Sequence, residues 1–361
     1  MGKLQRVLIM AGGTGGHVFP GLAVAQLLKE QGVDVRWLGT QSGIEARLVP
    51  AAGIPLDCLG IAGWRGKGWR TWLSAPFQLF KAVAQAVQVI QAYRPDVVLG
   101  MGGFVSGPGG IASWLLRRPL VIQEQNAIPG MTNRWLARVA RRVLQAFPGT
   151  FAQGAITTGN PVRPDIVAVG AAQAGKDWPV TVGRPLRLLV LGGSLGAVAI
   201  NRLLPQAIAA LPEGQRPDVW HQSGEKHFSD TLAAWQAAGI SARVEPFIQA
   251  MGEAYDWSDF VLCRAGALTV SELCAAGRGA ILVPYPHAVD DHQAANAAFM
   301  VKAGAAQMIR QADLDVARLR DLLFEWVKTP AFCQRRGEAA RRLGQGQAAA
   351  DIIRFCEEAG L

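Results

Sequence analysis

A short apolar strand that runs straight into a cluster of glycines and then into a helix has few folds open to it. This chain contains that arrangement twice. The first copy is RVLIMAGGTGGH at 6–17, where the run 7–10 carries no polar residue, as expected of a strand buried on both faces of a parallel sheet. Gly12, Gly13, Gly15 and Gly16 follow, and past Pro20 a helical pattern continues through Leu22, Val24, Ala25, Leu27 and Leu28. Strand, glycine turn and helix together aim unpaired backbone N–H groups at an anion. A Cβ in the turn would hold a phosphate away from the backbone. The second copy is RLLVLGGSLGA at 187–197. The repetition predicts two similar halves, each with its own phosphate cradle.

The length of 361 residues suits two domains of ordinary size, and with half the residues apolar each can bury a core. Five cysteines (Cys58, Cys263, Cys274, Cys333, Cys356) show no CxxC spacing, and an odd count argues for a reduced, cytosolic chain rather than a disulfide framework. No signal-peptide pattern precedes the first strand. The run 97–116 is uncharged and long enough to span a bilayer, but its six glycines and Pro108 make a continuous helix untenable. It reads as a strand at 97–101, a glycine loop and a helix at 111–116.

Charge is uneven along the chain. Between Cys58 and Pro164 stand twelve Lys and Arg but only two acids, Asp96 and Glu124; that segment carries +10 and the remainder −1. Such a cationic surface faces something anionic: nucleic acid, an anionic membrane or a phosphorylated substrate. The segment WRGKGWRTW at 64–72 leads into a helix, with Ser74 as its N-cap and Pro76 in its first turn. Leu79, Phe80, Val83, Val87 and Ile90 form a stripe expected to pack on a sheet. Leu73, Phe77 and Lys81 fall on another face beside Arg65, Lys67 and Arg70, a mixture suited to a bilayer interface. The alternative is ordinary core tryptophans with solvated cations.

A dinucleotide site would need an acid just past the second strand (33–38), where this chain has Gly39, Thr40, Gln41 and Ser42, with Glu45 farther on. The nicotinamide reading therefore falls, and no cofactor is expected. The chain continues with a third strand and glycine turn, DVVLGMGGFVSGPGG (96–110), a strand at 120–122 followed by QEQN (123–126), an Arg-rich helix over 132–144, and GNPVRP (159–164). An alanine-rich stretch up to Gly183 connects the halves. The second half alternates strands (187–191, 219–222, 242–247, 260–263, 281–283) with helices, including RAGALTVSE (264–272) and DDHQAAN (290–296), and ends in an amphipathic helix over 335–358. Alternation throughout predicts an α/β fold of two doubly wound parallel sheets.

No metal site emerges: the five histidines lack HxxxH or HExxH spacing. Asp313 and Asp315 form a nominal DxD, but they open a leucine-spaced helix and suit an N-cap. Neither a GxSxG elbow nor a GxxxxGK[ST] loop is present. What remains is two cradles flanking a cleft, with Glu272 and Asn296 at the carboxyl ends of strands, where a nucleotide diphosphate-sugar fits.

The motifs GGTGGH (12–17), GMGGFVSGP (100–108), EQN (124–126), GNPVR (159–163), GGSLGA (192–197), RAGALTVSE (264–272) and the pair His292–Gln293 with Asn296 resemble, in order and over nearly the whole chain, the undecaprenyldiphospho-muramoylpentapeptide β-N-acetylglucosaminyltransferase family. The resemblance implies a B-type glycosyltransferase fold of two Rossmann-like domains facing a cleft. It places an acceptor- and membrane-facing domain at 1–163, a UDP-sugar domain at 164–340, and a helix at 341–361 packed back on the first. It also implies inverting transfer of N-acetylglucosamine from UDP-N-acetylglucosamine to the muramyl C4 hydroxyl of lipid I, the undecaprenyl diphosphate-linked muramyl pentapeptide. The setting would be the cytoplasmic face of the inner membrane, peripherally on an anionic membrane surface and without nucleic acid.

Carried over by motif, Glu272 would bind the ribose, and Ser194 with its turn and Arg163 would neutralise the leaving phosphates. Ile248 would line the uracil pocket, and Ala267, Leu268, Thr269, Val270 and Ser271 would lie near ribose and phosphate. Gln293 and Asn126 would orient the sugar, with Thr14, Gly15 and Gly16 closing over it; Asn296 is nearby. The base for the acceptor hydroxyl is expected to be His17, with Glu124 second; His17 could instead bind the lipid diphosphate or stabilise its loop. Many family members have Gln at Leu195, Tyr at Phe104 and His at Gln123, and some have Gln at His292, which bears on sugar contacts. A UDP-sugar 2-epimerase or a non-catalytic sugar-nucleotide binding protein would share the architecture.

Overall fold

The computed structural model describes residues 4–60, 69–173, 184–193 and 196–360, excluding the side chains of 69–75 and 289. They form two compact units, Met1–Val162 with Gln347–Leu361, and Arg163–Gly346. Arg163 and residues 341–346 thus fall in the second unit.

In the first unit, strands β1 (Arg6–Met10), β2 (Asp34–Gly39), β3 (Leu56–Cys58), β4 (Val97–Gly100), β5 (Leu120–Glu124), β6 (Arg142–Gln145) and β7 (Ala155–Thr157) make one parallel sheet in the order β3-β2-β1-β4-β5-β6-β7. Its apolar runs are explained by two cores with a period of two. Val7, Ile9, Val97, Leu99 and Val121 enter the core on one face; Leu8, Met10, Val98, Leu120 and Ile122 enter the core on the other. The first face carries α1 (Gly15–Glu30) and α2 (Glu45–Ala51); the second carries α3 (Trp69–Tyr93), α4 (Ser106–Leu115) and α5 (Met131–Leu136).

The second unit holds α6 (Pro164–Gln173), β8 (Arg187–Leu191), α7 (Val198–Ala209), β9 (Asp218–Gln222), α8 (Phe228–Ala237), β10 (Arg243–Glu245), α9 (Met251–Trp257), β11 (Phe260–Cys263), α10 (Ala267–Ala276), β12 (Gly279–Leu282), α11 (His292–Lys302), β13 (Ala306–Met308), α12 (Val316–Val327) and α13 (Pro330–Arg342). Its parallel sheet runs β10-β9-β8-β11-β12-β13. The final helix, α14 (Ala348–Gly360), belongs to the first unit: Ile352, Ile353, Phe355 and Cys356 are buried in its α1-side core. Each such large apolar side chain contributes roughly 1.5–3 kcal/mol.

Several expectations are corrected. The Arg-rich stretch 132–144 is not one helix: α5 stops at Leu136, and the Arg141 N–H bonds the Leu120 carbonyl to start β6 along β5. Pairing with an open sheet edge overrides helical composition there. The tail is helical over 335–358 as expected, divided between α13 and α14. Ser74 and Pro76 lie inside α3 instead of starting it. Phe80, expected on the sheet, is 72% exposed, and Ala82, Ala86 and Ile90 fill the buried stripe. Helix α1 begins before Pro20, whose missing N–H leaves only the carbonyl of exposed Gly16 to solvent. Residues 61–68, with Trp64, Arg65 and Lys67, lie outside the described residues, as do Ser194 and Leu195. Among the described residues no helix is long and apolar enough to cross a membrane.

One buried polar chain in the second unit reaches its glycine turn. The Trp235 Nε1–H donates to His221 Nδ1 (3.1 Å), and Trp is a donor only, so the imidazole proton sits on Nε2. That nitrogen donates to Asn201 Oδ1 (3.0 Å), and Asn201 Nδ2 donates to the Ser223 carbonyl (2.9 Å). The Ser223 carbonyl packs on Gly196, where a Cβ would overlap it. Burial pushes the His221 imidazole down to about 3 from its usual 6.5. Between those values the unfolded chain binds a proton that the folded chain refuses, so stability falls as pH drops through that window. His221→Gln should cost on the order of 1–3 kcal/mol at pH 7.5. Denaturant titrations should show the gap to the parent protein narrowing at pH 5; an unchanged gap would contradict the buried, neutral assignment.

Candidate functional site

The strand orders place a topological switch point between β1 and β4 in the first unit and between β8 and β11 in the second. Loops leaving the carboxyl ends of the two diverging strands border a crevice there. All four of those loops contain glycine.

In the first unit, the loop after β1 is held from behind by Glu45, which is fully buried. Its Oε2 accepts from the Gly13 N–H (3.1 Å), while Oε1 accepts from the Thr40 N–H (3.1 Å) and hydroxyl (2.7 Å). A Cβ at Gly12 would sit 2.7 Å from that carboxylate, and a Cβ at Gly103 would overlap the Gly12 carbonyl. The β1 and β4 loops therefore touch backbone to backbone. Beyond them, the amides of Gly15 and Gly16 open α1 with no protein acceptor among the described residues, and no side chain caps the helix. Thr14 is exposed, and its hydroxyl meets His17 Nδ1 at 3.1 Å. The other edge of the His17 ring lies against Gly102, whose φ of +94° only glycine adopts readily.

Glu124 ends β5 and is buried. Its carboxylate accepts from Asn126 N (3.0 Å) and Nδ2 (3.3 Å), Gly130 N (3.1 Å) and Asn133 Nδ2 (2.9 Å). The Asn126 carbonyl in turn accepts from the Thr150 hydroxyl. Glu124 and Asn126 are thus parts of one closed turn.

In the second unit, Gly193 and Gly196 have φ near +75°, and the Gly192 N–H donates to the Gln222 carbonyl (3.2 Å). The Gln222 side chain accepts from the Ile248 N–H (3.0 Å), fixing buried Ile248 beside this turn. Across the switch point, α10 starts after Gly266 without a side-chain cap. The amides of Ala267, Leu268 and Thr269 have no protein acceptor among the described residues. Val270 is buried, and the Ser271 hydroxyl donates back to the Ala267 carbonyl.

Glu272, one turn on, accepts from the Tyr255 hydroxyl at 3.1 Å. Loss of solvent pushes its carboxyl up to about 7, against the pull of the nearby Arg163 guanidinium and the Tyr255 bond. Above about pH 4.5 this group therefore costs the fold stability, a cost complete only past about pH 7. Arg163 is 45% exposed and 3.8 Å from Asp165, whose other oxygen takes the Gly252 N–H. The Gln293 Oε1 accepts from the Tyr285 N–H (2.8 Å). Buried Asn296 donates to the Ala265 carbonyl, and Arg264 ties the β12 end through the Val283 and Pro284 carbonyls. Asp315 caps α12, accepting from the Arg318 N–H at 2.7 Å.

The sequence pointed to most of these residues through their motifs. It missed Glu45, Tyr255, Gln222 and Gln125. Glu45 sits just past β2, where a dinucleotide enzyme keeps its ribose acid, and the spacing was set aside as too long. Tyr255 and Gln222 lie on elements without a motif, and only the fold brings them to the site.

The chain matches the glycosyltransferase family 28 N-terminal domain over residues 7–145 and the family 28 C-terminal domain over 187–354. It is 52% identical to a protein of Marinobacter nauticus and 54% identical to one of Alkalilimnicola ehrlichii, covering 98% of this chain and of each relative. Both are UDP-N-acetylglucosamine–N-acetylmuramyl-(pentapeptide) pyrophosphoryl-undecaprenol N-acetylglucosamine transferases. The crystal structure of Acinetobacter baumannii MurG superposes with a TM-score of 0.84 at 37% identity, over 98% of this chain and 99% of that one. With both family domains matched in order and relatives of this identity aligned from end to end, the chain belongs to glycosyltransferase family 28.

Proposed function

We propose that this protein transfers N-acetylglucosamine from UDP-N-acetylglucosamine to the muramyl C4 hydroxyl of lipid I, with inversion, giving lipid II and UDP. The observation that carries this is end-to-end similarity to relatives of that activity, in a chain whose uncapped helix starts and glycine turns border both switch points. In the second unit, Glu272 takes the ribose hydroxyls. Ser194 and the turn that carries it, with Arg163, take the charge that develops on the diphosphate as the sugar leaves. Ile248 borders the uracil, and residues 267–271 approach ribose and phosphate. In the first unit, Thr14, Gly15, Gly16 and Asn126 are assigned to the sugar; in the second unit, Gln293 is. His17 is assigned as the base: its Nδ1 pairs with the Thr14 hydroxyl at 3.1 Å, and with the ring proton on Nδ1 the Nε2 atom takes the acceptor proton. Glu124, already held by four donors, is assigned to shaping the Asn126 turn.

Binding at the cytoplasmic face of the inner membrane is supported by the first unit's surface. On neighbouring α3, α4 and α5, Phe77 and Phe80 are over 70% exposed and Trp114, Leu115, Met131 and Trp135 over half exposed. Lys81, Arg117, Arg134, Arg138 and Arg141 are exposed around them. Apolar side chains ringed by cations suit an anionic leaflet, where each cation adds about 1 kcal/mol. Phe77→Ser with Phe80→Ser should weaken sedimentation with phosphatidylglycerol vesicles at least tenfold and leave turnover on a detergent-soluble acceptor intact; unchanged sedimentation would remove these residues from the docking surface.

Incubation with labelled UDP-N-acetylglucosamine and lipid I should give a lipid-linked disaccharide. Release of an epimer or free sugar without the acceptor would favour the epimerase alternative, and no turnover a binding protein. His17→Ala should lower kcat by about 10²–10⁴ and abolish the acidic limb of the kcat/KM profile. A small loss with the profile intact would remove the base assignment.

A further inference from the structure

A buried ladder of side-chain amides ends at the His17 imidazole. Asn160 Nδ2 donates to the Gln125 backbone carbonyl (3.0 Å), so its Oδ1 faces Gln123, where it accepts from Gln123 Nε2 (3.0 Å). The same Nε2 donates to the Gly159 carbonyl (3.2 Å). That leaves Gln123 Oε1 as acceptor for Gln125 Nε2, which also donates to the Gln123 backbone carbonyl (3.1 Å). Flipping any one amide would set oxygen against oxygen, so the direction of every dipole is forced. All three residues are at most 1% exposed. The ladder's acceptor end, Gln125 Oε1, has no hydrogen-bond partner among the described residues. It emerges at Gly102: a Cβ built there would lie 3.3 Å from Gln125 Oε1 and 3.0 Å from His17 Nε2. A buried carbonyl oxygen and the reactive edge of the imidazole thus border the same face of one glycine.

We propose that Gln125 is a positioning residue for His17, its side-chain carbonyl stabilising the positive charge that forms on the imidazole when Nε2 takes the acceptor proton. The proposal rests on the reading of His17 as base. In the step concerned, the proton moves from the C4 hydroxyl to Nε2, and the oxygen's electron pair forms the new bond to the anomeric carbon. The bond from that carbon to the diphosphate oxygen breaks, and its pair leaves on UDP. A fixed dipole aimed at developing charge needs no reorganisation during the reaction. Among the described residues, charged groups on elements around His17 include Glu45 of α2, closed on Gly13 and Thr40, and Glu124 of β5, closed on its own turn. The starts of α1 and α4 carry none. Gln125 Oε1, by contrast, is not committed to any hydrogen bond among the described residues.

The test is the His17 titration, followed by the imidazole ¹⁵N shifts of the full chain and assigned with His17→Gln, alongside the pH profile of kcat/KM. Gln125→Met, of similar shape without the carbonyl, should lower the His17 pKa by about half to one unit and move the acidic limb down equally. Gln125→Asn, which retracts the carbonyl by one methylene, should do the same if the Met variant does not fold. Gln123→Met disturbs the ladder but leaves Gln125 bonded to the 123 backbone carbonyl, so it should leave the titration in place. An unchanged His17 titration in both Gln125 variants overturns the proposal, as does an equal shift in Gln123→Met. A titration that moves while the rate profile stays put overturns the base reading instead.

Discussion

A backbone N–H aimed at open space, at the start of a helix that no side chain caps, is the interaction that the rest of this chain serves. Parallel strands deliver helix N-termini to one edge of each sheet, and the reversal of strand order at β1/β4 and β8/β11 leaves room for a ligand there. Ordinary helices satisfy such donors with Ser, Thr or Asp. Here α1 and α10 follow Thr14, whose hydroxyl turns to His17 instead, and Gly266, which has no side chain to offer.

Unfilled donors are of use only if the turns that present them are stiff, and each unit has a buried support for that. In the first, Glu45 clamps Gly13 and Thr40 while Gly103 packs on the Gly12 backbone. In the second, the Trp235–His221–Asn201 chain ends on the Ser223 carbonyl, and that carbonyl fills the space a Cβ would need at Gly196. These polar groups lie in otherwise apolar cores, where an unmet partner is costly. Glu272 is the opposite case: a carboxyl kept where water is scarce, at the fold's expense, with one oxygen on Tyr255.

The sequence was most legible where one physical demand dominated. Runs such as 7–10 and 187–191 could only be central strands, because both faces meet cores, and the glycines after them marked the cradles. Short edge strands such as β3 and β7 carry half-buried residues and no pattern of their own; they exist because a neighbour offers its edge. The same pairing turned the end of an Arg-rich helix into β6. Phe80 was misplaced because a stripe of large apolar residues reads as core, whereas α3 packs closely enough on the sheet that alanines fill that side. Candidate site residues such as His17, Glu272 and Gln293 stand in motifs and were legible as candidates for that reason. Glu45 reaches Gly13, 32 residues away, Tyr255 reaches Glu272, 17 residues away, and Gln125 presents an orphaned atom; only the folded chain brings these together.

The central claim is that backbone amides, rather than side chains alone, hold the donor's diphosphate. It is tested most directly by titrating the ¹⁵N-labelled protein with UDP and following amide shifts. The account predicts saturable, matched shifts at Gly193, Ala267, Leu268 and Thr269, whose N–H groups have no protein acceptor among the described residues. Saturable binding that leaves these four amides unmoved, with shifts confined to other parts of the chain, would contradict it.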